Sequence, residues 1–452
     1  MDYWDLVPFI VIREAAMFAA AGYLVLGVNE LAIDVIWIKV KVSAWRQPAT
    51  TTDAETPDHS AASSPPLAVF IPAWQEGNII RDMLRATLKA ADYPNFRLYV
   101  GCYPNDPGTI EAVKSVPDPR IRLVIGPRPG GTTKADCLNT IWRAMVEDER
   151  QEGRSFDAVI LQDAEDVIHP QAFRQFGRFI GDYDMVQLPV VPILSGSLWV
   201  AAHYGDEFAE AHAKDMIVRQ HIGAALPSAG VGCAFARKPL EELAARRGDG
   251  PFNPDSLTED YELGLTIGRK GRALFLRARD EHGRLIATGE YFPSDFRAAV
   301  RQKARWIAGI ALAGWDRLGW RDGLAEHWMR LRDRQPLFVA LVTMIGYGAI
   351  AAWPLLGLGA EDATRLFSSS AFSFMAAANI TLFGWRLLVR FAFTTLLYGW
   401  RQGLLSVPRL IVSTLILVAA AAQAARLYAS MRRTGVTRWD KTVHRFPAHL
   451  AD

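Results

Sequence analysis

Three polar clusters stand out in a chain of 452 residues that is half hydrophobic. The stretch FDAVILQDAED sets Asp163, Glu165 and Asp166 at the end of an apolar run that reads as a β-strand. In open parallel sheets ligands bind beyond the carboxyl ends of the strands. Closely spaced carboxylates there can hold a hard divalent cation through oxygen, and such a cation can neutralise a diphosphate leaving group. Taken alone, the same acids would serve as a solvated turn. The stretch SLTEDYELG places Glu259 and Asp260 in the first turn of an expected helix, with Thr258 or Ser256 at its cap. Acids favour helix N-termini, so capping accounts for them; the chemical alternative is a general base aimed at a hydroxyl. The stretch RQKARW offers Gln302, Arg305 and Trp306: an amide donor, a forked guanidinium suited to phosphate oxygens, and a flat ring for stacking. Alone it resembles any basic amphipathic helix.

The elements that must position these clusters alternate between strand and helix from Leu67 to about Leu276. LAVFIPA (67–73), FRLYVGC (96–102), IRLVI (121–125), FDAVILQ (156–162) and DMVQLPV (184–190) read as strands, with amphipathic stretches between several of them. That alternation predicts an α/β domain built on a mostly parallel sheet covered on both faces. In HYGDEFAEAHAKD, residues His203, Glu207 and Glu210 fall on one helix face; a second metal site is conceivable there, but a polar face bordering a groove is the simpler reading. His169 reads as a turn residue. Gly230, Gly232 and Cys233 in PSAGVGCAF read either as a tight turn or as a place where backbone approaches a ligand closely.

The flanks are apolar. Residues 15–38 are about long enough to cross a bilayer, although Glu30 and Asp34 interrupt them and call for protein partners. The segment lacks a basic leader and a cleavage site, which makes it an anchor rather than a signal peptide. Lys39, Lys41 and Arg46 follow it and place the next segment in the cytoplasm. Further spans are expected over 337–360, 366–385 and 404–428. The division that results is an anchor (1–46), a Thr-, Ser- and Pro-rich linker (47–66), an α/β domain (67–296), amphipathic interface helices (297–336), about three transmembrane helices (337–430) and a basic tail (431–452). Three spans after a cytoplasmic domain would leave the tail outside, against its own positive charge. Arginines interleaved with Trp306, Trp315, Trp320 and Trp328 suit a membrane surface or a phosphate-rich ligand. A net charge of only +2 argues against nucleic acid as a partner, and the three cysteines have no zinc spacing.

The order and spacing of the clusters resemble family 2 glycosyltransferases of the GT-A fold, among them the cellulose, chitin and hyaluronan synthases. Asp106 in YPND matches that family's aspartate after the second strand. DAED matches its DxD motif, with Glu165 one carbon longer than the usual second aspartate. TED and QKARW match the motifs that follow. Glu76 in PAWQE and Lys134 in TTKADCLN match further family positions. Over nearly the whole chain, phrases such as CYPNDPGT, QDAEDVIHP, LTEDYELG, RQKARWIAGI and WDKTVHRFP resemble NfrB-like bacterial inner-membrane glycosyltransferases, whose longer members carry a cytoplasmic domain after the last helices and so keep that end inside. The resemblance implies that Glu76, Asp106, Lys134 and Asp163 hold the nucleotide-sugar, expected to be a UDP-sugar. It implies that Asp163 and Glu165 bind Mg²⁺ or Mn²⁺. It makes Asp260 the base beside Glu259, and has Gln302, Arg305 and Trp306 order diphosphate and acceptor. The acceptor would be a growing polysaccharide, with an outer-membrane export partner and a second copy to complete a channel, or else a lipid-linked glycan. A catalytically inactive scaffold or receptor would be expected to lack one of these acids.

Overall fold

The computed structural model describes residues 3–46, 64–269, 272–320 and 323–435. The expected linker, apart from 64–66, and the basic tail beyond 435 lie outside the described residues.

The sheet grows outward from β1 (Leu67–Pro72), in which every residue is buried. Leu67, Val69 and Ile71 enter one apolar layer while Ala68 and Phe70 enter the other, as the two-residue period of a strand requires. Being covered on both faces, the strand reads as an unbroken apolar run. In chain order the remaining strands are β2 (Phe96–Cys102), β3 (Ile121–Ile125), β4 (Ala158–Leu161), β5 (Val167–Ile168), β6 (Met185–Gln187), β7 (Val190–Pro192), β8 (Cys233–Ala236), β9 (Ala273–Phe275) and β10 (Thr288–Glu290). The main sheet has the order β3-β2-β1-β4-β8-β6-β9, and a small sheet has the order β5-β10-β7. Within the main sheet β8 alone runs antiparallel to its neighbours. Helices Ile80–Ala90, Pro107–Lys114 and Ala172–Phe179 cover one face. Helices Lys134–Glu152, Arg237–Arg247 and Glu259–Ile267 cover the other. The expected strand DMVQLPV is in fact two, β6 and β7, which belong to different sheets. The break falls at Leu188–Pro189, where proline has no N–H to give a ladder.

Helices Tyr3–Arg46, Leu324–Leu355, Ser370–Tyr398 and Trp400–Thr434 overlap the expected spans and are long and apolar enough to cross a membrane, although 337–360 and 366–385 each extend beyond their helix. Leu324–Leu355 is continuous through Pro336, so no structural break marks the expected boundary there. The acids of the first helix are answered from the α/β domain and the later helices. Lys214 Nζ, fully buried, lies 2.6 Å from Asp34 and 2.5 Å from Glu210. The Trp385 indole donates to Asp34 at 2.7 Å, Arg332 donates to Glu30 at 3.1 Å, and Arg386 pairs with Glu210. Asp206 holds Arg409 at 2.8 Å and Arg390 at 3.2 Å, and Glu207 holds Lys303 and the Ser413 hydroxyl, both at 2.7 Å. The face carrying His203, Glu207 and Glu210 therefore docks helices rather than bordering a groove. His203 is buried against its own Val200 carbonyl. Removing one member of a buried pair of this kind typically costs about 3–5 kcal/mol.

The last long helix stays in contact with the domain along much of its length. After Arg409 and Ser413, Ile416, Ala420 and Ala424 pack with Ala299, Ala304 and Ala308, and the Tyr428 hydroxyl donates to Asp316.

Candidate active site

Beyond the carboxyl ends of β1 and β4 opens a cavity of about 450 Å³. Of the residues to which the family resemblance gives a role, Glu76, Lys134, Asp163, Glu165, Glu259, Asp260, Gln302, Arg305 and Trp306 line it, and Asp106 does not. Glu76 arrives on the loop after β1 and Asp163 on the loop after β4, the positions from which parallel sheets present ligand-binding groups. Lys134 opens the helix Lys134–Glu152, where the Thr133 hydroxyl accepts the Asp136 amide at 3.3 Å, and its Nζ lies 2.6 Å from Asp163 Oδ1. Asp166 turns inward: its Oδ2 accepts the Asp163 amide at 2.8 Å, and its Oδ1 is buried without a hydrogen-bond partner. Burial, and then the neighbouring Asp163, Glu290 and Glu165, push the Asp166 carboxyl well up. It braces the turn, leaving Asp163 and Glu165 as the acids of this motif that face the cavity. Among the described residues no group of three or more His, Cys, Asp or Glu is arranged to hold a metal. Two oxygen-bearing carboxylates nevertheless fit Mg²⁺, which is commonly held by one or two carboxylates with substrate phosphates completing its shell.

Thr258 occupies the N-cap position of the helix Glu259–Ile267, but its hydroxyl is buried and unpartnered rather than capping. Ser256 Oγ accepts the Thr258 amide at 3.2 Å and donates to Glu262 at 2.6 Å, so neither expected side-chain cap forms. Glu259 and Asp260 nevertheless occupy the helix's first turn, where acids are favoured. Asp260 is half-buried, and its Oδ1 accepts the Tyr261 amide at 2.8 Å. Burial raises its carboxyl, against the pull of Lys134 and the Tyr261 amide and with a further push from Asp163. Glu259 is pushed up to about 7, first by burial and then by Asp260, with Lys134 opposing. For Lys134 burial works downward, but Asp163, Glu259 and Asp260 outweigh it and raise the ammonium. One fixed cation thus serves three acids, and their charge states are linked.

The glycine turn closes on this group. Gly230 and Gly232 have φ of +77° and +58°, and a Cβ at Gly230 would lie 2.2 Å from Asp260 Oδ2. Only glycine lets this backbone pass so near the carboxylate. The turn is held by Gln187, a fully buried residue of β6. Its Nε2 donates to the Val231 and Gly232 carbonyls at 2.9 and 3.1 Å, and its Oε1 accepts the Ala229 amide at 2.9 Å. Gln187 was not anticipated; a lone amide inside the apolar run of β6 was the available signal. Tyr261 and Asp333, also unanticipated, line the cavity and are bonded at 2.6 Å. They tie the helix Glu259–Ile267 to Leu324–Leu355.

Gln302, Arg305 and Trp306 lie on the helix Phe296–Ile307, whose N-terminus Asp295 caps by accepting the Ala298 amide at 2.9 Å. Gln302 Oε1 is buried without a hydrogen-bond partner. Trp306 meets Tyr204 and Phe292 edge-on, with ring centres 6.0 and 6.3 Å apart. Asp106, the exception, is set back. It caps the helix Pro107–Lys114, accepts the Thr109 hydroxyl at 2.6 Å and accepts the Gln75 amide at 2.5 Å. Thr109 in turn accepts the Glu76 amide at 2.9 Å. Asp106 therefore positions the loop that carries Glu76, and Gln75 in that loop adopts a left-handed φ of +57°.

A profile described as glycosyltransferase-like family 2 matches residues 65–309. The chain belongs to this family. Bacteriophage adsorption protein B of Escherichia coli K12 is 35% identical to it across 98% of this chain and 63% of its own length. Bacteriophage N4 adsorption protein B of E. coli O157:H7 matches with the same figures. The chain thus spans a little under two thirds of these relatives. Among solved structures, S. aureus TarS 1–349 in complex with UDP-GlcNAc is similar with a TM-score of 0.37 and 10% identity, over 81% of this chain and 92% of that one. Glucosyl-3-phosphoglycerate synthase from Mycobacterium tuberculosis, with Mn²⁺, uridine-diphosphate and phosphoglyceric acid, is similar with a TM-score of 0.33 and 19% identity, over 62% and 86%. The family membership, the mostly parallel α/β sheet and the apolar helices on either side of it are those expected from the sequence.

Proposed function

We propose that this family 2 glycosyltransferase moves a sugar from a UDP-sugar to a growing polysaccharide, with inversion. The observation that carries the reading is the meeting of Asp163, Asp260 and the Gln302–Arg305–Trp306 set, distant in sequence, around one cavity. Lys134, Arg305 and Gln302 supply donors for the diphosphate, and Trp306 a face for the acceptor sugar. Asp163 and Glu165 would hold Mg²⁺ or Mn²⁺, which when bound neutralises charge on the departing diphosphate. Asp260 takes the proton of the acceptor hydroxyl as that oxygen bonds to the anomeric carbon. The carbon–oxygen bond to the diphosphate breaks, and its electron pair leaves with the nucleoside diphosphate. The relatives' name, adsorption protein, supports a product that reaches the cell surface.

In this reading the domain lies on the cytoplasmic side of a bacterial inner membrane, in keeping with Lys39, Lys41 and Arg46 after the first helix. Three long helices cross. The fourth, Trp400–Thr434, lies along the interface beside Phe296–Leu318, which its contacts with Ala299, Ala304, Ala308 and Asp316 support. Its end then shares the domain's side, which removes the conflict with the basic tail. To test the transfer, membranes carrying the full chain are incubated with UDP- and GDP-sugars and nucleotide release is measured. Release from one donor is expected, lost with EDTA and in folded Asp163→Asn. Release that survives both changes refutes the metal assignment, and no release from any donor favours the scaffold reading.

A further inference from the structure

A second cavity, of about 350 Å³, lies between the small sheet and the ends of two long helices. Phe208 and His212 line both this cavity and the catalytic one. Its charged lining is wholly cationic: Lys41, Arg277 and Arg279, with no carboxylate among the lining residues. Neighbouring cations of this junction are neutralised, Arg386 by Glu210 and both Arg390 and Arg409 by Asp206, whereas Arg277 is half-buried and Arg279 is exposed and its guanidinium donates only to the Gly283 carbonyl among the described residues. Arg277 and Arg279 have no ion-pair partner among the described residues, and Arg277 Nε is buried without a hydrogen bond. His212 adds no charge of its own: burial, and then Arg277, push its pKa down to about 4. The opposite wall is apolar, made by Trp37, Phe393, Leu396 and Leu397 from the long helices. Leu396 is 77% exposed, so this wall continues onto the outer surface of its helix. A site with uncompensated guanidinium groups at one end and an open apolar wall at the other matches an amphiphile with an anionic head.

We propose that this cavity seats an anionic membrane lipid, its phosphate on Arg277 and Arg279 and its acyl chain along Phe393–Leu397. The inference rests on the membrane-embedded reading and not on sugar transfer. The occupant would brace the wall shared with the catalytic cavity. Val190 and Val191 of β7 line the lipid site, β7 pairs with β10, and Glu290 of β10 lines the catalytic cavity. The Val190 amide also donates to His212 Nδ1 at 2.8 Å.

The test uses the purified full chain in nanodiscs containing photoactivatable phosphatidylglycerol, or phosphatidylcholine with the same acyl chains, and no sugar donor, so an inactive transferase leaves it intact. Phosphatidylglycerol should cross-link to peptides around 189–191 and 393–397 far more than phosphatidylcholine. Arg277→Gln/Arg279→Gln should lower that labelling roughly 30-fold, the scale for losing two cationic contacts to an anionic lipid, while Arg277→Lys/Arg279→Lys retains most of it. Equal labelling by the two lipids, or unchanged labelling in the Gln variant, overturns the proposal. Displacement by inorganic phosphate would mark a site for a soluble anion and overturn it too. If the Gln variant does not fold, the lipid comparison and the phosphate competition on the unaltered chain still decide.

Discussion

Substituting Gly230 with alanine puts a methyl group where the Asp260 carboxylate sits. The new Cβ would lie 2.2 Å from Oδ2 and 3.0 Å from Cγ, whereas ordinary contact begins at 3.4 Å. The carboxylate must retreat by roughly 1 Å to relieve the overlap. A displacement of that size at a reacting group can cost about 10²-fold in rate. The substitution also forces a side chain onto a left-handed backbone, φ +77°, at about 1–2 kcal/mol. Gly223→Ala separates the two effects, since Gly223 has φ +74° and nothing within 4 Å of its added Cβ. Both variants should lose similar stability in thermal melts. Only Gly230→Ala should lose turnover, by about 10²-fold per folded molecule at saturating donor. Equal nucleotide release by the two folded variants would show that the closeness of Gly230 to Asp260 has no part in catalysis.

Two further expectations concern charge and placement. Asp260 must be ionised to accept a proton, and burial raises its carboxyl; turnover should therefore fall with decreasing pH along a limb lying above the ordinary aspartate value of about 3.9. Glu259, near 7, shares that limb through its coupling to Asp260, and a kcat profile flat down to about pH 4 contradicts the assignment. For placement, the three native cysteines are buried and should not react with an impermeant thiol reagent. In spheroplasts Gly359→Cys should label from outside, while Ser155→Cys and Ser430→Cys should label only after permeabilisation. Outside labelling of Ser430→Cys would make the last helix a fourth span.

The sequence made the sheet's centre legible because β1 and β4 are continuous apolar runs, and such runs follow from burial on both faces. It hid β8, which has only four residues and follows a glycine-rich turn. Proline explains why 184–190 was misread as one strand. The chemistry-bearing acids could be found because their types and order are informative on their own. What could not be read was where each side chain points: Asp106 turns into a helix cap, Asp166 into its own turn, and Glu207 and Glu210 toward the long helices. The last two outcomes depend on cations far away in the chain, Lys303 for Glu207 and Arg386 for Glu210. No local pattern specifies them.

Asp260→Asn bears most directly on the account. It removes the base while keeping the shape of the side chain, and it leaves Asp163 and Glu165 in place. The variant should fold and should still bind the nucleotide-sugar that the unaltered chain consumes, as read by calorimetry. Its transfer rate should fall by about 10²-fold or more, the scale of general-base catalysis. A folded Asp260→Asn chain that transfers sugar at a near-normal rate would contradict the proposed mechanism.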